Sequence, residues 1–212
     1  MSDDSPLIAS HVSRLSPDDP HHPAWRAASP ISLTRYWSGA KAPSDRHAEA
    51  RAIWDERALA VRFVCAQHEP LIVNSAPQVE RKTIGLWERD VCEIFLAPGT
   101  KTPVEYFEFE VAPTGEWIDL KILMTPEGKQ TDWGFASGMR AVAAVDKHKV
   151  TLILSVPWEA IGRRPAPGEE WRANLFRCVG AGETRGYLAW RPTRTPTPNF
   201  HVPAAFGRLI FG

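Results

Sequence analysis

Proline punctuation constrains this chain more than any other feature. Nineteen prolines are spread over 212 residues. A proline ring removes a backbone donor and clashes in a helix interior, so long helices are disfavoured throughout. The stretches between the prolines alternate in polarity with period two, as half-buried strands do. His47–Trp54 and Arg57–Cys65 flank an Asp55-Glu56 turn. Val104–Ala112 sets Phe107, Phe109 and Val111 against Tyr106, Glu108 and Glu110. Glu116–Leu123 sets Ile118, Leu120 and Ile122 against Trp117, Asp119 and Lys121. Leu86–Leu96 reads as a further strand, and Arg140–Val145 with Lys149–Val156 as a second hairpin. Only Pro157–Gly162 signals a helix, with Pro at its first turn and Gly at its end.

About ten short strands and one short helix imply an all-β fold, an antiparallel β-sandwich of jelly-roll or immunoglobulin-like type. The apolar faces of 104–111 and 116–123 are expected to pack together on the second sheet. Their Glu, Asp, Lys, Tyr and Trp residues would then share an open face. Residues 1–23 read as an irregular segment, with Trp25 just beyond it anchoring the N-terminal part. Residues 24–212 read as a single sandwich domain.

The 25 basic and 25 acidic side chains cancel, which argues against a general nucleic-acid binder. No apolar run reaches about 18 residues, so no membrane-spanning helix is expected. The first residues show neither a basic nor an apolar leader region, so as written the chain reads as cytoplasmic. Cys65, Cys92 and Cys178 are odd in number and lack C-x-x-C spacing. They read as small buried hydrophobes. His21-His22 beside Asp18-Asp19 reads as a solvated segment rather than a metal site. No D-x-D-x-D-G calcium loop occurs, and no cofactor is expected. A monomer is the expected state.

Nine tryptophans pose the functional question. At period two, Trp87, Arg89, Val91 and Glu93 would share a strand face. Trp190-Arg191 lies far along the chain, after Asn174 and Arg177. Indole faces cover the apolar faces of a pyranose, while carboxylates, amides and guanidinium groups bond its hydroxyls. That combination suits a mono- or oligosaccharide partner.

At these residues the chain resembles the family-nine-like carbohydrate-binding modules, within the wider DOMON-like group of β-sandwiches. The matching stretches are Leu86–Phe95, Tyr106–Trp117, Val156-Pro157-Trp158, Trp171–Arg177 and Ala189–Thr193, followed by Phe200-His201 and Phe206-Gly207. They run in order over roughly residues 24–211. The resemblance implies a non-catalytic module that clamps a sugar, such as the end of a chain, between two Trp. Trp87 and Trp190 look like that pair, and Glu93 like the acid that accepts hydroxyl hydrogen bonds. Arg89, Asn174 and Arg191 join them from local chemistry alone. The resemblance also allows structural calcium and a secreted or periplasmic location.

Three other uses of such a sandwich stay open. A glycoside-acting enzyme would draw a carboxyl pair from Glu93, Glu108 and Glu110. A haem-binding relative would use Met124, Met139, His148 or His201. A protein-interaction sandwich would hold no small ligand, and its Trp87 and Trp190 would both be core-packed.

Overall fold

The computed structural model describes residues 5–16 and 19–212. Residues 1–4 and 17–18 of the expected irregular segment, Asp18 among them, lie outside the described residues. Fourteen strands and two one-turn helices follow in order. The strands are β1 (Leu7–His11), β2 (Ile31–Leu33), β3 (Arg35–Tyr36), β4 (Ala48–Trp54), β5 (Ala58–Ala66), β6 (Val91–Ala97) and β7 (Glu105–Val111). Then come β8 (Trp117–Thr125), β9 (Gly128–Asp132), β10 (Arg140–Asp146), β11 (Lys149–Pro157), β12 (Glu170–Val179), β13 (Gly186–Ala189) and β14 (Gly207–Phe211). The helices are α1 (Ala24–Ala27) and α2 (Trp158–Ile161).

Pairing runs β10-β11-β5-β4-β1-β14-β12-β6-β7-β8-β9 in one continuous path. The path curls into two layers. One core joins Val61 and Phe63 of β5 and Leu152 and Leu154 of β11 to Ile94, Leu96, Phe107, Phe109 and Leu175 from the opposite layer. This is the expected sandwich. Both expected hairpins form, as β4–β5 and β10–β11. The helix signal at 157–162 becomes α2, closed by Gly162 at φ 79°, a left-handed conformation that favours glycine.

The N-terminal segment is more ordered than its composition implied. Leu7–His11 inserts between β4 and β14 and runs parallel to both. These are the two parallel pairings among the described strands, the rest being antiparallel. Leu7 and Ala9 enter the core, so apolar burial outweighs the turn-forming residues that follow. Trp25 of α1 is fully buried beneath the Arg62 guanidinium, 5.1 Å from its ring, as an anchor should be.

Most other indoles are also structural. Trp54, Trp158, Trp171 and Phe211 pack edge to face, with ring centroids 5.0 to 6.2 Å apart, a favoured aromatic geometry. All three cysteines are buried and free, as read from the sequence.

Candidate functional site

The register between β7 and β8 defines the candidate site, and it differs from the expected one. Phe109 pairs with Asp119, and Glu108 with Leu120. The apolar side of each strand therefore meets the polar side of its neighbour. Trp117, Asp119 and Lys121 lie on the inter-sheet face with Phe107, Phe109 and Val111, not beside the glutamates. Asp119 is buried there in an ion pair with Lys82, 2.6 Å away, and its other oxygen accepts the Ser137 N–H. The face pointing away from the sandwich core carries Glu93, Phe95, Tyr106, Glu108, Glu110 and Leu120.

Loops fold over this outer face and build a second apolar cluster that includes Leu86, Phe95, Tyr106, Phe176, Cys178 and Phe206. They leave a cavity of about 530 Å³. Trp87, Trp133, Tyr187 and Phe200 give it aromatic walls, while Glu93 and Glu108 face it from the sheet. Phe200 is held by stacking on Phe176 at 3.9 Å. Lys129 and His201 complete a polar side.

Glu93 of β6 pairs directly with Glu110 of β7, and Glu108 lies two residues along β7. An oxygen from each of the three carboxyls falls within 4.8 Å of the others. Burial raises all three pKa values. The charge of Glu108 adds to the shift on Glu93, and both neighbours' charges add to that on Glu110. Like charges this close cannot all ionise cheaply in a dry site. Cys178 donates to Glu93 Oε1 at 3.5 Å. No N–H or hydroxyl donates to either Glu110 oxygen or to Glu108 Oε2, and the Glu108 and Glu110 carboxyls hydrogen-bond each other.

His201 Nδ1 lies 2.8 Å from the Tyr106 hydroxyl, and its Nε2 lies 2.8 Å from Lys129 Nζ. An ammonium only donates, so Nε2 accepts and Nδ1 carries the proton. Burial, then the Lys129 charge, depress this histidine to about 3, and it stays neutral. Arg185 reaches the carbonyls of Trp87, Arg89 and Gly180 and holds the 87–89 turn in place.

Of the six residues singled out from the sequence, Trp87 and Glu93 meet at this cavity. The other four do not line it. Residues 86–88 form a 3₁₀ turn after Gly85, whose φ is 80°, and the strand begins only at Val91. Period-two counting from Glu93 back to Arg89 therefore fails, and Arg89 contributes its carbonyl to Arg185 instead. Trp190 shares the inter-sheet core with Leu188, is 7% exposed, and stacks under the Arg191 guanidinium at 4.7 Å. Tyr187, of the opposite parity on β13, takes the cavity wall. Asn174 is buried with its amide bonded to the backbone of Leu175 and Arg191, and Arg191 reaches the Ser5 carbonyl. Asn174 and Arg191 are thus structural. A clamp of Trp87 with Trp190 does not form.

The second exposed indole at the cavity is Trp133, 49% exposed, with its ring 6.2 Å from that of Trp87 and tilted by 41°. Its Asp132-Trp133-Gly134 setting gave no period to place it. Among the residues weighed for haem, Met139 is in the inter-sheet core, His148 stacks on His68, and His201 is held by Tyr106 and Lys129.

Fold and cavity together define a β-sandwich that carries an aromatic-walled, acid-floored pocket on the outer face of one sheet. The chain belongs to the carbohydrate family 9 binding domain-like family, whose model matches residues 18–211. A protein of Arthroderma benhamiae described as an extracellular protein is 22% identical over 174 residues, covering 76% of this chain and 77% of that one. A crystal structure from Bacteroides uniformis superposes with a TM-score of 0.73 at 17% identity, covering 97% of this chain and 98% of its own. A family 9 carbohydrate-binding module from Caldicellulosiruptor kristjanssonii in complex with glucose gives 0.63 at 14% identity, covering 98% and 96%. The same organism's module in complex with cellotriose gives 0.64 at 13% identity, covering 98% and 93%. At these identities the structures share the fold.

Proposed function

We propose that the cavity binds a sugar and does not cleave it. The observation that carries this reading is the pairing of aromatic walls with buried carboxylates in one pocket. Trp87 and Trp133 face the sugar with indole surface, and Glu93 and Glu108 accept hydrogen bonds from its hydroxyls. The family membership and the glucose and cellotriose held by family modules of similar fold support the same conclusion.

The stacking surface is an angled wall rather than a pair of jaws, with the two indole planes inclined by 41°. A ring sandwiched between two indoles needs two van der Waals separations, about 7–8 Å in all, and the Trp87 and Trp133 centroids are 6.2 Å apart. The sugar therefore lies against both indoles, with Phe200 and Tyr187 across the pocket. The volume falls within the ordinary small-ligand range of about 300–1,000 Å³, which suits a free sugar or the end of a chain. Placement of the sheet carboxyls supports the non-catalytic reading. A glycosidase needs carboxyls on both sides of the scissile bond, whereas Glu93, Glu108 and Glu110 crowd one wall from adjacent strands.

Calorimetry against glucose, xylose, cellobiose and xylobiose tests the reading. A preformed stacking site of this kind gives micromolar to millimolar affinity, roughly −4 to −8 kcal/mol. Trp87→Ala should lose the binding heat and keep the native circular dichroism. Silence of the native protein across the panel would refute the proposal.

A further inference from the structure

The acidic wall is more charged than a neutral sugar requires. Three carboxyls converge from β6 and β7, and among the described residues no Lys or Arg nitrogen forms a salt bridge with any of them. The nearest ion-pair contact is His201 Nε2, 3.9 Å from Glu108 Oε2, on an imidazole that is neutral. The neighbouring cations hydrogen-bond elsewhere, Arg185 to three backbone carbonyls and Lys129 to His201, and act on the glutamates only through their charge at a distance. Glu110 is 0% exposed, with no N–H or hydroxyl donating to either oxygen. The carboxyl group at the back of the cluster thus has no salt-bridge partner: the Lys129 charge acts on it from a distance, and its hydrogen-bonding neighbour is the Glu108 carboxyl, itself an acid.

We propose that the pocket selects a pyranose bearing a free primary ammonium group, an amino sugar, whose nitrogen docks on Glu93, Glu108 and Glu110. This rests on the sugar-binding reading above and names the ligand class for it. A sugar hydroxyl donates one hydrogen bond and brings no charge. An ammonium donates three and brings a full positive charge into a poorly hydrated site, where charge-assisted bonds are strongest. Its geometry also fits. Acceptors about 2.8 Å from a tetrahedral nitrogen stand up to about 4.6 Å apart, and the three carboxyl oxygens lie within 4.8 Å of one another, close enough for one nitrogen to reach all three. The aromatic walls receive the ring while the amine reaches the sheet.

Protons compete with the ammonium for the same oxygens. The groups facing the cluster are the three glutamates themselves, Cys178 of β12, Lys129 of β9, and His201 and Arg185 from the covering loops. Of these, the glutamates carry the acid-range titration, because His201 stays neutral down to about 3. Preference for the amine therefore grows as pH rises through the titration of these glutamates, while a primary amine still holds its proton.

Calorimetry of the full chain with D-glucosamine, N-acetylglucosamine and glucose at pH 5 and 6.5 decides the matter. We expect glucosamine to bind at least tenfold tighter than the other two at pH 6.5, with the ratio shrinking at pH 5. In Glu110→Gln the glucosamine-to-glucose ratio should fall at least threefold. If glucose binds as tightly as glucosamine, or the ratio survives in the variant, the ammonium proposal is overturned while sugar binding stands. If none of the three sugars binds but the wider neutral panel does, the proposal also fails alone. If nothing binds at all, both readings fail. Tight binding of CaCl2 or MnCl2 that glucosamine does not displace would assign the carboxylates to a metal and overturn the proposal as well.

Discussion

Replacing Glu110 by Gln should make the protein more stable, and increasingly so as pH rises. The side chain is fully buried, receives no N–H or hydroxyl on either oxygen, and faces Glu93 directly across the β6–β7 ladder. Burial first, then the charges of Glu93 and Glu108, raise its pKa in the folded state. Below about pH 4.5 the carboxyl is protonated in both folded and unfolded chains and contributes no pH dependence. Above that, the unfolded chain ionises while the folded one holds its proton. Unfolding then releases protons, so stability falls as pH rises until the folded group also titrates. Each such group lowers stability by about 1.4 kcal/mol per pH unit within that window. Glutamine keeps the shape and cannot ionise. Its removal of one titrating group should therefore make the stability gap grow with pH by up to about 1.4 kcal/mol per pH unit until the folded carboxyl itself titrates. Urea denaturation followed by tryptophan fluorescence, at half-unit steps from pH 4.5 to 8, measures the gap. Parallel curves for native and variant protein would refute the reasoning. They would mean that the cluster ionises without strain, as it would around a permanently bound cation.

Two structural predictions follow from contacts elsewhere in the sheet. A Cβ at Gly207 would meet Trp190 Cη2 at 2.6 Å and Arg191 Nε at 2.8 Å, so Gly207→Ala should cost about 1–3 kcal/mol by overpacking, read as a lowered denaturation midpoint. Lys82→Met leaves the buried Asp119 without its ion-pair partner and should cost about 3–5 kcal/mol; thermal melts of Lys82→Met and of Lys82→Met/Asp119→Leu would show the second change restoring much of the loss.

Strands were legible wherever one segment carried its own evidence. The hairpin of β4 and β5 shows clean alternation around Asp55-Glu56, and β10–β11 does the same around Asp146-Lys147. Register was not legible, because it belongs to a pair of strands. Each of β7 and β8 has an apolar and a polar side, and nothing within either segment says which side meets which. The Phe109–Asp119 pairing follows from the turn at Pro113–Gly115 and from Lys82 arriving to neutralise Asp119. The reading of Trp190 failed for a different reason. Its polar company suggested a surface, yet Arg191 caps the ring at the edge of the core and Asn174 bonds backbone. Trp87 and Glu93 reach the same pocket although residues 86–88 are not strand, since Arg185 holds that turn over the sheet. Trp133 and Phe200 approach from loops, whose paths no local periodicity records.

The insertion of β1 has a consequence for how the molecule is made. Residues 7–11 are the hydrogen-bonded link between β4 and β14, with Leu7 opposite Leu209 and Ala9 opposite both Phe211 and Ala52. The His11 N–H bonds the Gly212 carbonyl, and the Gly212 N–H returns to Ala9. A ribosome must therefore release the last of these residues before the first can find its place on that side. The hairpins can form early from neighbouring sequence, but the seam that joins them through β1 spans some 200 positions, and such distant closures are slow. During synthesis the edge of β1 that will face β14 waits uncovered. Its protection depends on a five-residue strand made about 200 positions later.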